Sequence, residues 1–162
     1  VWSSIVAVLG TLAGVALAGY TQRSTDRRAQ RDAHRQEVTH AVAELLEAVV
    51  RHREAHWLTV ESLRTGSVET AEERRARATT RSAATVARDR LGLLVVSEPA
   101  LLDSAEAAWR SAVELPDIEL GPPTAGLFAP EVEAALETAR ERCRNAHTAL
   151  RIAGSAYVHD NE

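Results

Sequence analysis

His52 and His56 stand four residues apart. On a helix that spacing places both imidazoles on one face, where a pair of ring nitrogens can ligate a transition metal. The zinc-protease signature requires Glu directly after the first His, and Arg53 occupies that position. Glu37 and His40 have the Glu-x-x-His spacing of di-iron bundles, but such centres need a second copy of the motif and the chain has none. Both His52 and His56 continue an apolar stripe below Val49, so the competing reading is a histidine pair at the edge of a core. No resident metal or cofactor is expected. Should a metal bind, His52 and His56 are the residues to hold it, and a metal- or ligand-sensing helical bundle is the alternative function.

Cys143 is the single thiol, so no disulfide can form within the chain, in keeping with a reducing compartment. It falls on the apolar seam of a helix, where a cysteine behaves as a small hydrophobe. Arg142 and Arg144 flank it but point elsewhere on the helix. The sequence contains no Gly-rich phosphate loop, no Gly-x-Ser-x-Gly elbow and no paired zinc cysteines. An enzyme is therefore not expected, and no catalytic residue is assigned.

Arginine supplies the remaining chemistry. All 19 basic residues of the Lys+Arg class are arginine. Arg23, Arg27, Arg28, Arg31 and Arg35 crowd the stretch after residue 20. Arg74, Arg75, Arg77, Arg81, Arg88 and Arg90 decorate a second segment. Nucleic acid is not the expected partner, because the second set lacks aromatic interleaving and a recognition helix. The expectation is that it faces Glu131, Glu133, Glu137 or Glu141 of the last helix, or of a neighbouring subunit. Charge is uneven: residues 21–96 carry +3 and residues 97–162 carry −7, for a net −4.

The elements that must position these groups read as helices. Proline is absent before Pro99. Residues 25–64 form one long predicted helix, in which Val38, Val42, Leu45 and Val49 make an apolar stripe beside a second row of Leu46, Val50, Trp57 and Val60. Gly66 is a left-handed cap. A second helix is expected over 68–96 with Ala83, Ala87, Leu91 and Leu94 inward, and a third follows with Ser97 as its cap and Pro99 in the first turn. Residues 115–129 form a loop. Pro130 opens the last helix, whose seam runs through Val132, Leu136, Ala139, Cys143, Ala146 and Leu150 at the coiled-coil period, with Gly154 closing it.

Residues 1–20 contain no charged side chain, and Trp2 and Tyr20 stand at the two ends of the apolar run. A helix of about 20 apolar residues crosses a bilayer core. The basic run on its C-terminal side places the N-terminus outside and the bulk of the chain in the cytoplasm. Trp2, Tyr20, Arg23, Arg27, Arg28, Arg31 and Arg35 are the expected membrane and lipid contacts. Gly10, Gly14 and Ala18, spaced by four, are the expected self-association seam. The fold class read from the sequence is thus all-α, with a single N-terminal transmembrane helix followed by a cytoplasmic antiparallel four-helix bundle. Its segments are 1–20 anchor, 21–37 basic polar helical connector, 38–157 bundle and 158–162 frayed tail.

Three stretches carry a family resemblance: Trp2-Ser3-Ser4-Ile5-Val6-Ala7-Val8-Leu9-Gly10-Thr11, His52-Arg53-Glu54-Ala55-His56-Trp57 and Thr80-Arg81-Ser82-Ala83. They are similar to the KilB-type proteins of Streptomyces, and the resemblance runs from Val1 to about Val96. It implies a small membrane-anchored helical protein linked with the spread of conjugative plasmids. The Arg- and Ala-rich, lysine-free composition fits the same high-GC actinobacterial origin. Together these readings describe a membrane-tethered, non-enzymatic scaffold that self-associates as a homo-oligomer and holds an unidentified protein partner.

Overall fold

The computed structural model describes the backbone of residues 2–159 and the side chains of residues 25–159 other than Pro116. Every regular element among the described residues is helical: α1 (Trp2–Arg64), α2 (Ala71–Leu94), α3 (Pro99–Val113) and α4 (Pro130–His159), with a short 3-10 turn at Leu115–Asp117. The chain divides into two compact units, residues 1–37 and residues 38–162. In the first, the described side chains from Thr25 onward are exposed except for half-buried Arg35. The second unit is the bundle.

The expected transmembrane helix is corrected. Among the described residues, no helix is long and apolar enough to cross a membrane. From Thr25 onward α1 is interrupted by Arg27, Arg28, Asp26 and Asp32, and its apolar stripe starts only at Val38. There the stripe is covered by protein. Trp2, Tyr20, Arg23, Gly10, Gly14 and Ala18, on which the anchor and its self-association would rest, lie outside the residues whose side chains are described.

Each connection has a local cause. Gly66 adopts φ +79°, a left-handed conformation that costs a residue without Cβ little. There the amide of Ser67 reaches the carbonyl of Ser62 at 3.1 Å, a Schellman-like closure of α1. α2 then starts at a capping box: the Glu73 amide donates to Thr70 Oγ1 at 3.2 Å, and the Thr70 amide donates back to Glu73 Oε2 at 2.6 Å. The start at Ala71 is three residues later than the pattern suggests, because Thr70-x-x-Glu73 caps the helix there. α3 begins at Pro99, but its cap is Glu98 with no side-chain bond, so Ser97 is not the cap. The long connection after α3 contains a tight turn in which Thr124 and Leu127 exchange backbone hydrogen bonds of 2.7 and 3.1 Å.

Four antiparallel seams close the bundle. Glu44 meets Arg90 and His52 meets Thr80 between α1 and α2. Thr85 meets Trp109 between α2 and α3, and Cys143 meets Ser111 between α3 and α4. Arg64 meets Glu133 between α4 and α1. On each seam numbers rise on one helix as they fall on the other. The principal core joins Val38, Leu45 and Val49 of α1 to Leu91 of α2, Leu101 of α3 and Leu150 of α4. Alanines line much of the rest: Ala87, Ala105, Ala108 and Ala112 are all buried, which lets the helices approach closely. Smaller clusters form around Phe128 and Leu136, and around Leu115 and Cys143.

Two expected positions are corrected. Ala83 is exposed, and Ala84 is the buried residue instead, so the core face of α2 is rotated by one residue early in the helix. Gly154 does not close α4, which continues to His159. A Cβ at Gly154 would lie 2.9 Å from Val42 Cγ1, so this glycine marks the closest approach of α4 to α1. Valine is stiff at χ1 and cannot swing away. Gly154→Ala should gain about 1 kcal/mol of helix propensity yet lose about 1–3 kcal/mol to the clash. It is expected to destabilise the native chain but to stabilise a Val42→Ala background. Urea denaturation of the four members of that cycle checks it; the same sign in both backgrounds would refute the contact.

Candidate functional site

His52 and His56 lie one turn apart on α1 and face the interior, 1% and 2% exposed. Thr80 of α2 donates its hydroxyl proton to the Arg77 carbonyl at 2.9 Å. His52 Nδ1 lies 3.0 Å from the same hydroxyl oxygen, so Nδ1 must carry the proton and donate it. That assignment leaves His52 Nε2 as a bare lone pair, buried and without a hydrogen-bond partner. Both ring nitrogens of His56 are likewise buried without a partner, and its ring meets Trp57 edge-on.

The electrostatics hold both rings neutral. Burial lowers the pKa of His52, and Arg81 and Arg77 push it the same way. His56 is lowered to about 4, chiefly by burial and then by Arg77 and His52. Guanidinium groups that oppose a proton here also oppose a divalent cation. Nor is there a third donor: among the described residues, no group of three His, Cys, Asp or Glu stands together to hold a metal ion. His40 is exposed and turned to Glu44, 3.3 Å away, and Glu37 is exposed. His40 lies twelve residues up the helix from His52, about 18 Å. The structure therefore brings His52 and His56 together but keeps Glu37 and His40 away from them.

Cys143 sits on the predicted seam, 1% exposed. Its Sγ donates to the Ser111 carbonyl at 3.2 Å. Burial raises the thiol pKa, and the Ser111 side chain and the nearby Arg53 and Arg142 only partly counter this. A thiolate is what reacts. Cys143 in the native protein should be modified by a thiol reagent at least about tenfold more slowly than in urea-unfolded protein, because access requires opening. Equal rates would show that the thiol is accessible.

The arginines of α2 do not meet the acids of α4. Arg77 pairs with Glu69, Arg88 with Asp89 and Glu106, and Arg90 with Glu44. α2 and α4 occupy opposite corners of the bundle, so the acids come from α1, the α1–α2 connection, α3 and α2 itself. Arg74, Arg75 and Arg81 are exposed with no ion pair among the described residues. Of the acids expected opposite them, Glu133 is taken by Arg64 at 2.5 Å and by the Phe128 amide at 3.0 Å. Three guanidinium groups also roof aromatic rings: Arg88 over Trp109 at 4.1 Å, Arg140 over Trp57 at 4.5 Å and Arg64 over Phe128 at 5.7 Å.

One feature escapes the sequence reading. Val86 and Leu93, a heptad apart on α2, are 67% and 82% exposed. The available signal was their offset from the buried Ala84, Ala87 and Leu91 row, which puts them on the other side of the helix. Val86 borders a groove of about 580 Å³ between α1 and α2 that is floored by Ala48, Ala83 and Ala87, whereas Leu93 borders a separate groove between α2 and α3.

The fold and its side chains define an all-helical bundle whose potentially reactive groups are buried and held neutral and whose outer faces carry arginine and isolated aliphatics. The chain belongs to the KilB plasmid transfer protein family, whose profile matches residues 39–158. The match includes the acidic last third, beyond the reach of the resemblance read from residues 1–96. The chain is 40% identical over 65 residues to protein KilB of Streptomyces lividans, an alignment covering 40% of this chain and 44% of that protein. The chain thus spans less than half the length of the curated relative it matches. No solved structure matches it.

Proposed function

We propose that the chain serves plasmid transfer as a non-enzymatic interaction module. It self-associates and holds a protein of the transfer apparatus through its outer helical faces. One observation carries this reading. The groups able to do chemistry, His52, His56 and Cys143, are sealed in the core, whereas Arg74, Arg75 and Arg81 stand exposed and unpaired among the described residues. Exposed guanidinium groups on a rigid helix suit recognition of carboxylates on a partner protein.

The test is complementation of a transferable plasmid lacking this gene. Wild-type chain, His56→Leu and Cys143→Ala should each restore spread, because none of the removed groups takes part in a reaction. The double variant Arg74→Glu/Arg75→Glu should reduce spread at least about tenfold with helicity unchanged, since reversed rim charges repel an acidic partner. A folded Cys143→Ala or His56→Leu protein that fails to restore spread would instead favour chemistry or ligand sensing in the core.

A further inference from the structure

We infer that Arg53, His147 and Arg151 form a binding site for a phosphate dianion on the α1–α4 seam. The register of that seam brings them together. Arg64 meets Glu133, Arg140 covers Trp57, and Val42 approaches Gly154, so numbers on α1 fall as those on α4 rise. Four residues on from the contact of Trp57 with Arg140, Arg53 comes opposite Arg144. His147 and Arg151 follow on the next two turns of the same flank of α4. Arg53 and His147 are half-buried and Arg151 is exposed, so the cluster opens to solvent. After burial, the charges of Arg53 and Arg151 are what oppose a proton on the His147 ring, so both guanidinium groups lie near it.

What the cluster lacks is an acid. Elsewhere on the seam the guanidinium groups are answered, Arg64 by Glu133 and both Arg140 and Arg144 by Glu137. Past Glu141, α4 carries no Asp or Glu. On α1, Glu44 and Glu47 are drawn to Arg90 and Arg51, and exposed Glu54 lies about 100° further round the helix than Arg53. Arg53 and Arg151 therefore make no ion pair among the described residues. The helix dipole does not account for Arg151, because that field is confined to the last turn and Arg151 lies two turns before His159. Two guanidinium forks supply two positive charges and paired N–H donors, which match the charge and the several oxygens of a phosphate dianion. His147 adds a donor while neutral. Its Nδ1 is buried without a partner, so Nε2 is the nitrogen left to meet a phosphate oxygen. A carboxylate or a phosphodiester carries a single negative charge and would leave one guanidinium unanswered.

The test titrates inorganic phosphate into the full chain at about pH 8, where phosphate is a dianion, and follows the His147 ring resonances by NMR. A saturable shift is expected, with a dissociation constant on the order of 1 mM. Sodium chloride at matched ionic strength should not reproduce it, since screening alone does not saturate at one site. Arg53→Gln and Arg151→Gln should each weaken binding at least about tenfold with helicity unchanged. Arg74→Gln/Arg75→Gln, on α2, should leave the affinity within about twofold. Dimethyl phosphate and vesicles of phosphatidylglycerol, both phosphodiesters of single charge, should bind at least about tenfold more weakly per phosphate. No saturable shift in the wild-type chain, an equal shift with chloride, wild-type affinity in both glutamine variants, or equal binding of the diesters overturns the site. The readout is a ring resonance rather than plasmid spread, so this inference and the transfer reading stand or fall separately.

Discussion

Leu45→Ala is expected to lower the free energy of unfolding by about 3 kcal/mol, measured by urea denaturation followed by circular dichroism. Leu45 is fully buried, and its cluster draws on all four helices. Removing three carbons forfeits about 2.4 kcal/mol of transfer free energy at about 0.8 per carbon. The cavity adds to this, because many of the neighbours are alanines, among them Ala41, Ala87 and Ala108. Alanine has no rotamer with which to fill the space, so the hole persists. Val86→Ala, on the exposed side of α2, should change stability by less than about 0.5 kcal/mol. A loss below about 1 kcal/mol at Leu45 would mean that the helices close over the gap, which contradicts close packing through small residues.

Acid sensitivity is the second large effect. Stability should be flat above about pH 7 and fall as pH drops from 6.5 toward about 4. In the unfolded chain both imidazoles take up protons near pH 6.5, whereas folded His56 resists until about 4. The unfolded state therefore binds more protons in that window, and stability rises with pH across it. His56 alone contributes roughly 2–3 kcal/mol between the two limits. His52 and half-buried His147 act in the same direction, with their pKa values also lowered mainly by burial. Carboxylates enter at lower pH. Glu133, lowered by the Phe128 amide first and then by Arg64, loses its contribution as pH falls below 4.5. The interval from 4.5 to 6.5 therefore isolates the histidines. His56→Leu should remove most of the slope there, because it replaces a buried ring that lacks partners by an apolar group. An unchanged slope would place the titration elsewhere.

The helices were legible because their cause is local. Val38, Val42, Leu45 and Val49 repeat at helical spacing, and all four are buried. The seam of α4 from Leu136 to Leu150 is likewise where its period puts it, and Gly66 adopts the left-handed turn that its place after Arg64 implies. What failed depends on neighbours in space. Ser97 is a good cap by type, but α3 starts at Pro99 on Glu98. Gly154 resembles a helix end in sequence, yet it sits mid-helix because Val42 of another helix leaves no room for a Cβ. Arg88 and Arg90 had visible charge, but their partners Glu106 and Glu44 follow from which helices are adjacent. The histidine pair shows the limit most clearly. Spacing alone permits ligation at His52 and His56, and only the burial and the nearby Arg77 and Arg81 decide that the rings stay neutral.

The order of the seams has a kinetic consequence. Three of the four join helices that are neighbours along the chain, and only the contact clasped by Arg64 and Glu133 links residues 69 apart in sequence. Chains dominated by nearby contacts close small loops and collapse quickly, on a scale of microseconds to milliseconds. The hairpins of this protein can therefore assemble one after another while the chain is still emerging from the ribosome, and docking of the last helix onto the first, which closes the longest loop, is expected to come last.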